Sequence, residues 1–122
     1  MAKTQIRVGG LGDMHSAVTL QDFVSDCGQE NYRRILVDMS ICTGVDSTFM
    51  GTLISLSGEI ESGGARLRLY NVTDQCWKLL EMLGADRFLS FGGTQHFPEL
   101  IHARLVPEHD DSRRRLELIR RL

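Results

Sequence analysis

Ile35-Leu36-Val37 is an unbroken apolar run inside a short segment that ends on Asp38 and Ser40. Successive residues of a strand point to opposite faces of a sheet, so this run predicts a strand buried on both sides. That is the place of a parallel strand in an α/β sheet. After a short gap, Val45-Asp46-Ser47-Thr48 leads into a segment in which Phe49, Leu53, Leu56 and Ile60 recur at helical spacing. Asp46 or Ser47 is a suitable cap for that helix, and Gly63-Gly64 a suitable end. A buried strand, a loop and a capped amphipathic helix make the first half of a βαβ unit.

The rest of the chain repeats this alternation. Gln5 to Val8 alternates as a short strand, and Gly9, Gly10 and Gly12 break it into a loop. From Ser16 to about Gly28, Val18, Leu20, Phe23 and Val24 fall on one helical face. Arg66 to Val72 alternates polar and apolar residues, which predicts a strand with one less buried face. Thr73 or Asp74 then caps a helix with Trp77, Leu80, Met82 and Leu83 as its apolar contacts, and Gly84 closes it. Phe88 to Phe91 reads as a short final strand. The pattern predicts an α/β fold with a mainly parallel sheet of four to five strands and helices packed against it. Residues 1–98 form the domain and 99–122 a C-terminal extension. In that extension Glu99 to Val106 is open to either helix or strand, and Ser112 to Leu122 reads as an amphipathic helix. Asp110 and Asp111 stand at its positive end, Arg120 and Arg121 at its negative end, and Leu116, Ile119 and Leu122 form a narrow stripe. Such a stripe offers a route to a homodimer.

A chain of 122 residues suits a single core. Fourteen basic against sixteen acidic residues leave a formal charge of −2, which gives no general pull toward nucleic acid or anionic membrane. No run approaches the roughly 20 apolar residues of a membrane span, and the first residues lack a signal peptide's apolar region. Cys27, Cys42 and Cys76 are odd in number and scattered, as expected of free thiols in a reducing compartment. The expectation is a cytoplasmic protein.

The residues that stand out chemically are Asp46-Ser47-Thr48. A triplet of this kind after a parallel strand lies at the carboxyl edge of the sheet, where such folds gather functional groups. It also opens a helix whose Ser47, Gly51, Ser55 and Gly58 run along a second, small-residue face. Glycine inside a helix costs about 1 kcal/mol relative to alanine, so this face invites an explanation by close approach of a partner. Asp38 is placed to end its strand near the triplet and orient the loop by hydrogen bonds. The remaining candidates are weaker. Gly9-Gly10-Leu11-Gly12-Asp13 matches neither dinucleotide nor P-loop spacing. His15, His96, His102 and His109 lack metal-ligand spacing. Cys42 sits in the loop before the triplet with no base that the sequence places beside it. No enzyme activity, cofactor or metal is expected.

The span from about Ile6 to Phe91 resembles a STAS domain, the module of the bacterial anti-sigma factor antagonists. The residues that carry the resemblance are Ile35 to Ser40, Val45 to Thr48, the Gly63-Gly64 turn, the strand to Val72, and Leu79 to Gly84. In that family the serine directly after the aspartate is phosphorylated by a partner kinase that also acts as anti-sigma factor. The resemblance therefore implies Ser47 as the modified residue, with Thr48 as the alternative. It implies Asp46, Ser47, Thr48, Gly51, Ser55 and Gly58 as the partner surface and Asp38 as its support. It further implies a serine kinase/anti-sigma factor-like partner and a resetting phosphatase. The alternatives are an unmodified STAS subunit serving as scaffold or transporter component, and a nucleotide- or anion-binding STAS module. Phe49-Met50-Gly51 stands where the family has Gly-Leu-Gly, and a bulky Phe49 either fills the core or covers the site.

Overall fold

The computed structural model describes residues 3–29, 32–94, 103–108 and 111–121, with side chains described up to residue 94 apart from 28 and 29. The chain runs β1 (Lys3–Gly12), α1 (Met14–Gln29), β2 (Arg34–Asp38), β3 (Cys42–Val45), α2 (Ser47–Ser62), β4 (Arg66–Tyr70), α3 (Asp74–Met82), a single 3-10 turn (Ala85–Phe88), β5 (Phe91–Gly93), β6 (Ala103–Glu108) and β7 (Asp111–Arg121). Strand order is β5-β4-β2-β1-β7-β6, with β3 pairing the end of β1. The pairs β1–β2, β1–β3, β2–β4 and β4–β5 are all parallel, and the pairs β1–β7 and β6–β7 are antiparallel. The α/β fold with a mainly parallel sheet is the one the alternation predicts.

Register sorts the side chains of the sheet onto two faces. Ile6 pairs with Val37 and Leu69 with Val37 on β4's side, so these point one way with Ile35 and Leu67. This face joins the buried residues of all three helices in one core, including Leu20, Phe23, Phe49, Leu53, Cys76 and Leu80. Leu36 points the other way and packs with Tyr70. Ile35, Leu36 and Val37 are each at most 3% exposed, as an apolar run in a central parallel strand requires.

Local signals explain the helix starts. Asp13 Oδ1 accepts from the N–H groups of His15 and Ser16, so α1 begins two residues before Ser16. Thr73 caps α3 by accepting from Cys76 N. Trp77 meets Phe91 edge-on at 4.9 Å between ring centroids, which ties α3 to β5.

Several expectations are corrected. Gly9 to Gly12 is strand, not loop. Pairing with β7 at Gly9 and with β3 from Gly10 to Gly12 holds it in the sheet, with Gly10 at φ 73° where the register shifts. Glycine suits position 12 because an added Cβ would stand 2.9 Å from the Phe49 ring. Residues 42–45, expected as loop, form β3 for the same reason. Phe88 belongs to the 3-10 turn, and the last parallel strand begins at Phe91. There Gly92 leaves room for Tyr70, whose ring a Cβ would overlap. Val18, Met82 and Leu83 are exposed, so the apolar faces of α1 and α3 are narrower than their composition implies.

The largest correction is at the C-terminus. Residues 111–121 form β7 rather than an amphipathic helix, pairing Arg115–Arg121 with Lys3–Gly9. Without β7, the outer side of β1 would present a row of unpaired backbone groups, and pairing satisfies them at the expense of local helix propensity. The idea of a homodimer through a C-terminal helix loses its basis. The expectations for residues 95–102, including His96 and His102, and for His109 lie outside the described residues.

Candidate functional site

The carboxyl ends of β1, β2, β3 and β4 meet around two aspartates. Asp38, 3% exposed at the end of β2, accepts from Arg7 Nε at 2.8 Å through Oδ2. Its Oδ1 accepts from Ser40 N and from Asn71 Nδ2, both at 3.0 Å. Asn71 has φ 57°, in the left-handed region that asparagine tolerates better than most residues. One buried carboxylate thus fastens β1, the turn after β2 and the residue after β4. A charge so deep is tolerable because each oxygen has a donor and one donor is a guanidinium.

Asp46 is the second. Its backbone N–H donates to Gly12 O at 2.9 Å, which joins the start of α2 to the end of β1. Its Oδ1 accepts from Phe49 N at 2.8 Å, so Asp46 is the N-cap of α2. Ser47 and Thr48 are therefore the first helical residues, both exposed, and among the described residues neither hydroxyl makes a hydrogen bond. An aspartate that does the capping leaves the serine hydroxyl free on the surface, beside helix N–H groups and the positive dipole end.

The face that continues from Ser47 is bare. Gly51, Ser55 and Gly58 are exposed, and a Cβ built at Gly51 or Gly58 meets no atom within 4 Å. Neither glycine is required by packing inside this domain. Phe49 is fully buried, so it fills the core and leaves the exposed side of the triplet uncovered. Leu11 and Met14, 42% and 58% exposed, stand on either side of Gly12 in the chain, next to the residue whose carbonyl holds Asp46 N.

Two features escape the sequence reading. The Gly12–Phe49 contact joins residues far apart in the chain, and a glycine-rich run is its only signal. Cys42 is buried in β3, and it lies beside Cys76. Cys42 Sγ–H donates to Gly44 O at 3.2 Å, and Cys76 Sγ–H to Cys42 O at 3.4 Å. A hydrogen bond with Cys76, then burial, pushes the Cys42 thiol well above its ordinary value. The hydrogen bond from Cys42, helped by Thr73 and opposed by burial, pulls Cys76 below its own.

Among the described residues no three His, Cys, Asp or Glu side chains gather as a metal site, and no helix is long and apolar enough to cross a membrane. Cavities of about 510 to 560 Å³ lie at the amino end of the sheet and beside α1 and α2, away from the triplet.

Comparison with known proteins agrees with this layout. A sulfate transporter family protein from Wolinella succinogenes superposes with a TM-score of 0.66 at 21% identity, covering 78% of each chain. The anti-sigma factor antagonist SpoIIAA in its unphosphorylated form gives 0.62 at 19% identity, covering 74% of this chain and 79% of that one. The Bacillus cell fate determinant SpoIIAA in the phosphorylated form gives 0.57 at 20% identity, covering 74% and 82%. At such identities the likeness establishes a common fold. No curated protein sequence matches the chain. The family model described as Mlab, STAS domain matches residues 1–91, and with most of its length so matched the chain belongs to the STAS domain family.

Proposed function

We propose that this chain is a regulatory binding module of the anti-sigma factor antagonist type, which docks a serine kinase/anti-sigma factor-like partner on the Ser47–Gly58 face and is released by phosphorylation of Ser47. The observation that carries the reading is the division of labour at the start of α2. Asp46 caps the helix, so Ser47 presents a free, exposed hydroxyl at the head of a face whose glycines no internal contact explains. The fold shared with SpoIIAA, known in unphosphorylated and phosphorylated forms, supports it.

The physics of the switch is local. A neutral hydroxyl beside glycines lets a partner backbone approach closely. A phosphate on Ser47 Oγ adds about −1.5 to −2 charges and three acceptor oxygens. Within its own domain the group is tolerated by the helix N–H groups and dipole. At an interface shaped for a hydroxyl it brings bulk, a desolvation cost and repulsion from Asp46. Modification then releases the partner while the domain stays folded. No step needs this chain to act as an enzyme, and a phosphatase resets it. Thr48, also exposed, is the second acceptor.

Phosphopeptide mass spectrometry after incubation with ATP and a serine kinase from the same genome tests the modification, with Ser47 the expected site. In binding assays with that kinase, Ser47→Ala is expected to retain the partner and Ser47→Asp to lose it. Equal retention by both variants, or modification at neither Ser47 nor Thr48, defeats the reading. One observation favours a second one, a permanent subunit contact as in a transporter: exposed Leu11 and Met14 beside the junction. The two Ser47 variants then behave alike.

A further inference from the structure

The face of the sheet away from the helices begins with a basic row. Lys3, Arg34 and Arg66 are register partners on β1, β2 and β4, and Arg68 follows on the same face opposite Leu36. Arg33 adds another guanidinium at the mouth of β2, where its Nη1 stands 3.3 Å from the position of a Cβ on Gly64, whose φ is +86°. Arg33, Arg34, Arg66 and Arg68 line one cavity of about 560 Å³ together with Leu36 and Tyr70. That volume lies within the range of small-molecule sites.

Among the described residues the charges in this cavity have no partner within it, although Glu59 joins Arg33 in lining the neighbouring hollow beside α1 and α2. Among the described residues no Asp or Glu lines it, and none of the four guanidinium groups has an ion pair or a hydrogen bond. Glu61 borders Arg66 in the adjoining cavity, but its Oε1 accepts from Ser57 and Ser90 instead, each at 3.5 Å. Like charges directly opposite on neighbouring strands repel. A chain of net charge −2 nevertheless gathers four cations in one hollow.

We infer that this cavity is a binding site for a small anion carrying linked phosphate groups, held by Arg33, Arg34, Arg66 and Arg68. Guanidinium groups bind phosphate oxygens in pairs, and several of them converging in a concave site match a ligand of several negative charges. Leu36 and Tyr70 give the hollow an apolar floor, so the cations rim it. The concave shape favours a compact anion over the extended backbone of a nucleic acid. The site sits at the amino ends of β2 and β4, whereas Asp46-Ser47-Thr48 lies at the carboxyl edge. It therefore stands independently of the phosphorylation switch.

Calorimetric titration of the full chain at physiological salt with pyrophosphate, tripolyphosphate and ATP tests the site. Tripolyphosphate is expected to bind saturably. The double variant Arg66→Gln/Arg68→Gln should bind it at least about tenfold more weakly, because two charge-assisted contacts are lost. Arg87→Gln, an exposed arginine on the 3-10 turn, should bind unchanged. Arg33→Gln, outside the strands, serves if the double variant fails to fold, with a several-fold loss expected. Tighter binding of ATP than tripolyphosphate assigns the site to a nucleotide, and equal binding assigns it to the phosphate chain alone. Absence of saturable binding by the unaltered chain overturns the proposal. So does equal affinity in the Arg66/Arg68, Arg33 and Arg87 variants.

Discussion

The two long faces of α2 meet opposite demands. One carries Phe49, Met50, Leu53, Leu56 and Ser57, all buried against the sheet and α1. The other carries Ser47, Gly51, Ser55 and Gly58, all exposed, with open space above both glycines. On the first face the domain itself dictates size and shape, as close packing requires. On the second the domain dictates nothing, and helix propensity argues against glycine. Small residues that cost helix stability without serving internal packing are the expected mark of a surface kept clear for another molecule.

Substitutions on the two faces sharpen this contrast. The largest effect is expected at Leu53, which is fully buried. Leu53→Ala should lose about 2 to 5 kcal/mol in urea denaturation, while Ser55→Ala two residues on stays within about 0.5 kcal/mol. A comparable loss at both positions would erase the distinction between the faces.

Next comes Gly12→Ala, whose Cβ would stand 2.9 Å from the Phe49 ring. A loss of about 1 to 3 kcal/mol is expected, with partial recovery when Phe49→Leu is added. Additive effects in that double-mutant cycle would show that the contact does not set the position of α2.

On the bare face the sign reverses. Gly51→Ala should raise stability by up to about 1 kcal/mol, since the methyl group enters open space. The same change should weaken docking of the kinase partner. A variant that is more stable and binds equally well would remove the case for close approach at this face.

At neutral pH the smallest effect concerns the buried thiols. Cys42 has its thiol pushed up in the folded chain, so its contribution to stability is complete below the unfolded thiol value of 9.0 and is lost as pH rises beyond it. Above pH 9, where the Cys76 thiol is ionised in both states, melting curves should fall more steeply for the unaltered chain than for Cys42→Ala. The difference is at most about 1.4 kcal/mol per pH unit. Parallel curves would mean that Cys42 ionises alike in both states.

Much of this architecture is legible in local signals. The run Ile35-Leu36-Val37 predicts a two-sided buried strand and is one. The recurrence of Phe49, Leu53 and Leu56 predicts the buried face of α2, and Gly84 marks the end of α3 with φ 71°. Capping is a contact between near neighbours in the chain, so the sequence narrows the caps to Asp46 or Ser47 and to Thr73 or Asp74, and the structure selects Asp46 and Thr73. The triplet's position at the carboxyl edge follows from the βαβ pattern. What misleads is context that sequence periodicity does not carry. Gly9 to Gly12 contains loop-forming residues, yet strand neighbours on one side and the Phe49 ring near Gly12 make it β1. Residues 111–121 have charges placed as in a helix, yet the open side of β1 takes them as β7.

By itself the sequence determined the alternation of strands and helices, the capped start of α2 and the identity of its two faces. Each of these depends on interactions within a few residues or on hydrophobic period. Only the tertiary structure decided that Asp38 joins Arg7, Ser40 and Asn71, and that Ser47 is relieved of capping. It alone set Cys42 beside Cys76 and gathered Arg33, Arg34, Arg66 and Arg68 into one hollow. Strand order and register bring such residues together, and those are set by the pairing of backbone groups across the whole sheet.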